Sequence, residues 1–145
     1  MGIFNAGAPF LSDLNLIFQF LIAAVLVLAL FAIVKRKYVI HGVLMGCGVV
    51  LHTISIFVVM VPSFLSLRHL ISGLTTRLSL LIVIHATAGS IVEILGVLLV
   101  AAWVFDRDKV NNCFQRKYIM LVTITLWIVE FLLGIYLYMM LYPFV

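Results

Sequence analysis

Charge is scarce in this chain. Only 10% of its 145 residues are Asp, Glu, Lys or Arg, and 66% are hydrophobic. A water-soluble domain of this size has too little interior to hide that much apolar surface. Strict two-residue alternation is also missing, which argues against a membrane β-barrel. There is no internal repeat, no low-complexity segment and no room for a separate soluble domain. Nucleophile elbow, phosphate loop and paired metalloprotease histidines are all absent, so no hydrolase is indicated. Met1–Phe10 contains neither Lys nor Arg. The apolar run behind it is too long for a signal-peptide core, so the first helix is expected to stay in the mature protein. Cysteine is limited to Cys47 and Cys113. Their different expected depths argue against a disulfide. Cys113 reads as a reduced surface thiol, and Cys47 as a small packing residue rather than a metal ligand.

Four long apolar runs are what the chain does have: Leu14–Val34, Tyr38–Val61, Leu78–Phe105 and Tyr118–Tyr142. Each reaches the length of about 20 residues that a bilayer-crossing helix needs. Backbone groups in lipid must be satisfied within the segment, so all four runs require helix. The expected fold is all-α: one integral membrane domain over residues 1–145, an antiparallel four-helix bundle with short connections. Lys35, Arg36 and Lys37 fall in the first connection, and Arg107, Lys109, Arg116 and Lys117 in or beside the third. Only Arg68 and Arg77 lie at the opposite end. The positive-inside rule then puts both termini outside. The same rule accounts for the net charge of +4, leaving no call for nucleic acid. Tyr38, Trp103 and Tyr118 mark the inner interface, and Tyr136, Tyr138 and Tyr142 the outer one, as ordinary aromatic anchors.

Ionisable residues inside such runs are functional candidates by default. His52 and His85 lie on neighbouring runs. Counted from Val61 and Leu78, both fall roughly 10–14 Å below the outer boundary. His41, Met45, Gly48, His52 and Ser55 share one face of the second helix, by three- and four-residue spacing. On the third helix His85, Gly89 and Gly96 recur, with Glu93 beside them. Gly48 and Gly89 each lie one turn inward of a histidine, where they could clear space. Paired imidazoles holding a haem iron between helices would use all these features. Close packing through small residues, with the histidines as interhelical hydrogen-bond partners, is the plainer alternative. Gly42 and Gly46 look like such a packing seam. A bare metal ion would want further ligands, and a proton relay stays open. Glu130 shares a face with Thr123, Trp127 and Gly134, and a carboxylate at that depth should be paired or protonated. With Gln19 and Glu93 it could form a polar network fixing the bundle. The second connection, with Phe64, Leu67, Leu70, Ile71 and Leu74, suits a short interfacial helix. Its Arg68 and Arg77 are candidate partners for haem propionates, and His69 reads as a surface residue.

Three stretches, in this order, resemble the four-helix membrane family called domain of unknown function 420. They are Lys35-Arg36-Lys37-Tyr38-Val39-Ile40-His41 with Met45 following; Leu81-Ile82-Val83-Ile84-His85-Ala86-Thr87-Ala88-Gly89; and Gln115-Arg116-Lys117, leading to Trp127, Gly134 and Tyr136-Leu137-Tyr138-Met139-Met140-Leu141-Tyr142. The resemblance implies a multi-pass protein of a prokaryotic cell membrane, linked to maturation of haem-copper terminal oxidases. His41 and His85 match family histidines. Gln115 stands where the family commonly has another, so the resemblance does not complete an inner site of His41 and Met45. His52 is not a family position and rests on depth and spacing alone.

These observations lead to a first expectation of one b-type haem on His52 and His85, serving electron transfer or haem handling. Its partners would be a terminal oxidase, a quinone or another respiratory membrane subunit. The second expectation is a non-catalytic oxidase-assembly factor or accessory subunit, without stable haem, that holds haem or, less readily, copper in passing. The third is a proton- or ion-conducting protein using His52, His85, Glu93 and Glu130, with oligomerisation supplying the pathway. In the first two the chain is a carrier or accessory protein rather than an enzyme.

Overall fold

The computed structural model describes residues 8–66, 77–106 and 109–142. Four helices among them are long and apolar enough to cross a membrane. They are α1 (Phe10–Val34), α2 (Tyr38–Ser66), α3 (Arg77–Phe105) and α5 (Lys117–Leu141). A short helix, α4 (Lys109–Gln115), lies between α3 and α5. The described residues contain no strand.

Local chemistry sets the ends. Pro9 caps α1 in an extended conformation, and its carbonyl accepts from the amides of Ser12 and Asp13. The turn into α2 is a Schellman motif: Lys37 N–H donates to Ala32 O and Arg36 N–H to Ile33 O, both at 2.9 Å. This motif needs a left-handed residue. Here that residue is Arg36, at φ 56°, where glycine is usual. At the far end α2 does not stop at Val61, as the sequence suggested, but runs to Ser66. A π-helical turn over Ile56–Met60 comes just before Pro62. A proline ring clashes with the carbonyl four residues back in a regular helix. The extra residue looped into a π-turn reshapes the backbone at that point, so the helix continues. The other spans differ from expectation by four residues at the start of α1, one at the start of α3 and one at each end of α5.

The bundle is built from two hairpins, α1 with α2 and α3 with α5. They meet mainly along α2 and α3, while α1 and α5 touch only lightly. The buried stripes mix small and polar residues with a few large apolar ones, among them Ile22, Leu26, Val92 and Trp127. In α1 the stripe is Asp13, Gln19, Ile22, Leu26, Ala29 and Ala32; in α3 it includes Ser79, Gly89, Val92 and Gly96. Large apolar side chains such as Phe31, Phe57, Leu98 and Leu132 point outward, where lipid would meet them. Small residues let the backbones close: Gly42 receives the indole of Trp103, and a Cβ on Gly96 would come to 3.0 Å from Val49. Trp103 is thus drawn into the expected seam rather than left as a free interfacial anchor.

The basic end departs from expectation in one more way. Cys113 sits on α4, buried at 4% exposure, and burial pushes its thiol above the usual cysteine range. It is not a surface thiol, because α4 folds back across the end of the bundle against α2, α3 and α5. Cys47 is the exposed cysteine, and both are free.

Candidate functional site: a His–Glu cluster between two cavities

Four titratable side chains from three helices converge near the middle of the bundle. His52 lies fourteen residues from either end of α2, about 21 Å from each. That is deeper than the sequence suggested, because α2 continues past Val61. Its Nδ1 lies 2.9 Å from Glu93 Oε2 on α3. The other Glu93 oxygen accepts from the Thr53 hydroxyl. His52 Nε2 lies 3.8 Å from Glu130 Oε2, and His85 Nε2 lies 3.6 Å from Glu130 Oε1. Glu130, from α5, therefore stands between the two imidazoles. It is 1% exposed and His52 is 3% exposed, so water does little to screen these contacts. Isolated charge at such a site is costly, and the cluster lowers that cost by sharing protons among neighbours.

The two histidines are not at one level. Glu93, the partner of His52, is eight residues inward of His85 on the same helix, about 12 Å. Nor do the glycines leave an open slot between them. The space beside Gly48 is taken by Leu26, and that beside Gly89 by the Glu130 carboxylate, 3.3 Å from where a Cβ would stand. Gly134 on α5 makes room for the His85 ring in the same way, at 3.1 Å. As arranged, His52 and His85 do not fit the two faces of one haem iron, since the carboxylate of Glu130 already occupies the ground between their Nε2 atoms.

Below the cluster, toward the basic end, the bundle holds a partly open apolar cavity of about 240 Å³. His41, Met45, Gly48 and His52 of α2 line one wall, with Glu93, Trp103 and Trp127 among the others. His41 Nδ1 is tied to the backbone carbonyl of Ala29 at 2.9 Å, and His52 Nδ1 to Glu93. In both rings Nδ1 is engaged and Nε2 is left for another contact. His52 Nε2 and Trp127 Nε1 are buried without a hydrogen-bond partner.

Above the cluster, toward the termini, a smaller cleft of about 80 Å³ opens between α1 and α5. Ser12, Asn15, Gln19, His85, Glu130, Gly134 and Tyr138 all line it. Gln19 donates to Ser55 at 2.9 Å, and Ser55 donates to Asn15 at 2.5 Å. Tyr138 donates to Asp13, and both are buried. Tyr138 is thus an internal partner rather than an interfacial anchor, whereas Tyr136 is exposed. Asp13, Asn15, Thr53 and Tyr138 were not singled out from sequence as site residues. One signal was available for Tyr138: Glu130, Gly134 and Tyr138 repeat every four residues, on one helix face.

Of the other expected site residues, Arg77 opens α3 at an exposed position. Arg68 and His69 lie outside the described residues, as do Leu67, Leu70, Ile71 and Leu74; Phe64, expected in a separate interfacial helix, belongs instead to the last turns of α2. Gln115 ends α4 and is exposed. No group of three or more His, Cys, Asp or Glu side chains suited to a metal ion occurs among the described residues. Comparison with family models, curated proteins and solved structures finds no match to this chain.

Proposed function

We propose that this chain is a haem-handling membrane protein that takes haem b into the apolar cavity of its basic half. His52 would hold the iron, with His41 as a second docking point nearer the basic end. One observation carries this reading: both histidines on the cavity wall have Nδ1 anchored, His41 by a carbonyl and His52 by a carboxylate. That is the outer-shell arrangement that fixes the tautomer of a metal-ligating histidine and leaves Nε2 as the ligand. His41 and His52 are eleven residues apart on one helix, about 16 Å, so they cannot share one iron. His85 faces Glu130 from the other side and is not a ligand in this reading.

A single histidine holding the group would suit passage of haem better than a permanent two-histidine cytochrome. Haem would supply redox chemistry once bound; the chain's own residues supply the apolar enclosure and the anchored imidazole. At about 240 Å³ the cavity is below the ~300 Å³ where small-molecule pockets begin. Entry of the macrocycle therefore requires the walls to part, with Trp103 at Gly42 and Leu26 at Gly48 the close contacts along that wall. Membership of the family called domain of unknown function 420, a prokaryotic cell-membrane location and service to a haem-copper oxidase or its quinone-linked partners belong to this proposal. They rest on the motif resemblance over residues 35–142.

The test is a haem titration of the purified protein followed by its Soret band. His52→Ala is expected to abolish or shift the band, His41→Ala to weaken binding several-fold, and His85→Ala to leave the band in place. If His85→Ala and His52→Ala act alike, the paired-histidine arrangement is restored. An accessory protein without haem remains if no variant, nor the parent, develops a chromophore.

A further inference from the structure

We propose that Lys117 receives the carboxylate of the ligand in the apolar cavity and so fixes which way that ligand lies. The occupant rests on the haem reading above, whereas the carboxylate site needs no iron. Lys117 opens α5 and is the only lysine or arginine among the described residues that lines this cavity. Glu93, the one acid in the lining, is held by His52 and Thr53 at the other end. In an apolar pocket the few polar groups set the ligand's orientation. One cation at the basic end therefore calls for an apolar body with an anionic end.

Levels along the bundle place this cation. Lys117 is thirteen residues before Glu130 on α5, about 20 Å toward the basic end. His41 is eleven residues before His52 on α2, about 16 Å in the same direction. Glu130 and His52 face each other at 3.8 Å, so Lys117 and His41 come within about one helical turn in level. Trp103 meets Gly42 beside them. Lys117 would hold the propionate edge of haem b, and His41 is then the imidazole nearest in level. His52 serves only once Lys117 has let go.

The Lys117 side chain is available. Its ammonium sits 5.0 Å over the ring of Tyr118 and takes part in no ion pair among the described residues. Its neighbour Arg116 faces Asp106 at 3.8 Å instead. A lysine stem can lie along an apolar wall while the head stays at the water. A carboxylate brought to that head gains a charge-assisted hydrogen bond. Arg77, expected from sequence as a propionate partner, opens α3 at the opposite end and lines neither cavity.

The chain's two tryptophans, Trp103 and Trp127, both line the cavity, so their fluorescence reports an occupant. The full chain in nanodiscs of neutral lipid is titrated with protoporphyrin IX, which keeps haem's carboxylates without iron, and with its dimethyl ester. Protoporphyrin IX is expected to quench the fluorescence, with affinity about three- to fivefold weaker in Lys117→Gln and retained in Lys117→Arg. The ester should bind the parent more weakly than the acid does and be indifferent to Lys117→Gln. Lys35→Gln removes a charge at the same end but outside the cavity lining, and should leave both titrations unchanged. Equal affinity of protoporphyrin IX for parent and Lys117→Gln overturns the proposal, as does an equal loss for the ester or in Lys35→Gln. A brominated fatty acid is titrated alongside. If it alone quenches, and Lys117→Gln weakens it, the carboxylate site stands and the haem reading falls. If neither acid quenches the parent, the proposal is overturned.

Discussion

His52 is the residue on which the chemistry turns, because it joins the two halves of the bundle. One ring nitrogen is held by Glu93, the other faces Glu130, and the ring also borders the inner cavity. Removing its anchor should therefore be felt in stability as well as in function. Glu93→Leu takes acceptors from both His52 and Thr53 and leaves a buried donor unmet. The expected loss is about 1–3 kcal/mol, read from unfolding equilibria in mixed micelles. Cys113 offers a separate check at the same scale. Its thiol is pushed above the usual range by burial, so less thiolate is present at neutral pH, and the thiolate is the reactive form. Alkylation at Cys113 should be slow at neutral pH and accelerate as pH rises beyond the ordinary cysteine value. Fast labelling at neutral pH would show that α4 does not cover it. The sequence announced His52, His85, Glu93 and Glu130, because ionisable groups in apolar runs stand out. It could not say that Glu130 comes between the histidines, since that depends on how far each helix is rotated and shifted. Asp13 was hidden for another reason: at the start of a helix it looks like an ordinary first-turn acid.

Element boundaries were legible where composition changes abruptly and illegible where the backbone adapts. The basic triplet Lys35–Lys37 marked the α1–α2 turn correctly. Pro62 did not end α2, because the π-turn ahead of it absorbs the clash, and periodicity does not report such a turn. Helix α4 was likewise unseen, as seven residues are too few for a periodic signal. Arg36 holds a left-handed conformation that costs L-residues about 1–2 kcal/mol. Arg36→Gly should therefore raise the stability of the folded protein by about 0.5–1 kcal/mol. Arg36→Val should lower it, and the same micelle unfolding assay separates the two. The glycine seam makes an opposite claim. A Cβ at Gly42 would fall within the indole of Trp103, so Gly42→Ala must displace that ring. The expected cost is about 1–3 kcal/mol, accompanied by a change in tryptophan fluorescence.

At the scale of the whole molecule the bundle is asymmetric along its length. Its terminal half carries the small cleft lined in part by polar groups, its middle the His–Glu cluster, and its basic half an apolar cavity bordered by Cys113 of α4. The all-α architecture was readable from run length and charge, because lipid leaves a spanning segment few options. The placing of two cavities on either side of the cluster was not, since it arises from the packing of four stripes that periodicity describes only one at a time. Small residues along those stripes leave the cavity, and the anchored His41 and His52 line it. The most direct measurement is the absorption spectrum of purified protein titrated with haem, quantified as the pyridine haemochrome. One haem per chain is expected, with a Soret band lost in His52→Ala and kept in His85→Ala. Absence of any Soret band in protein expressed with ample haem would contradict the proposed function.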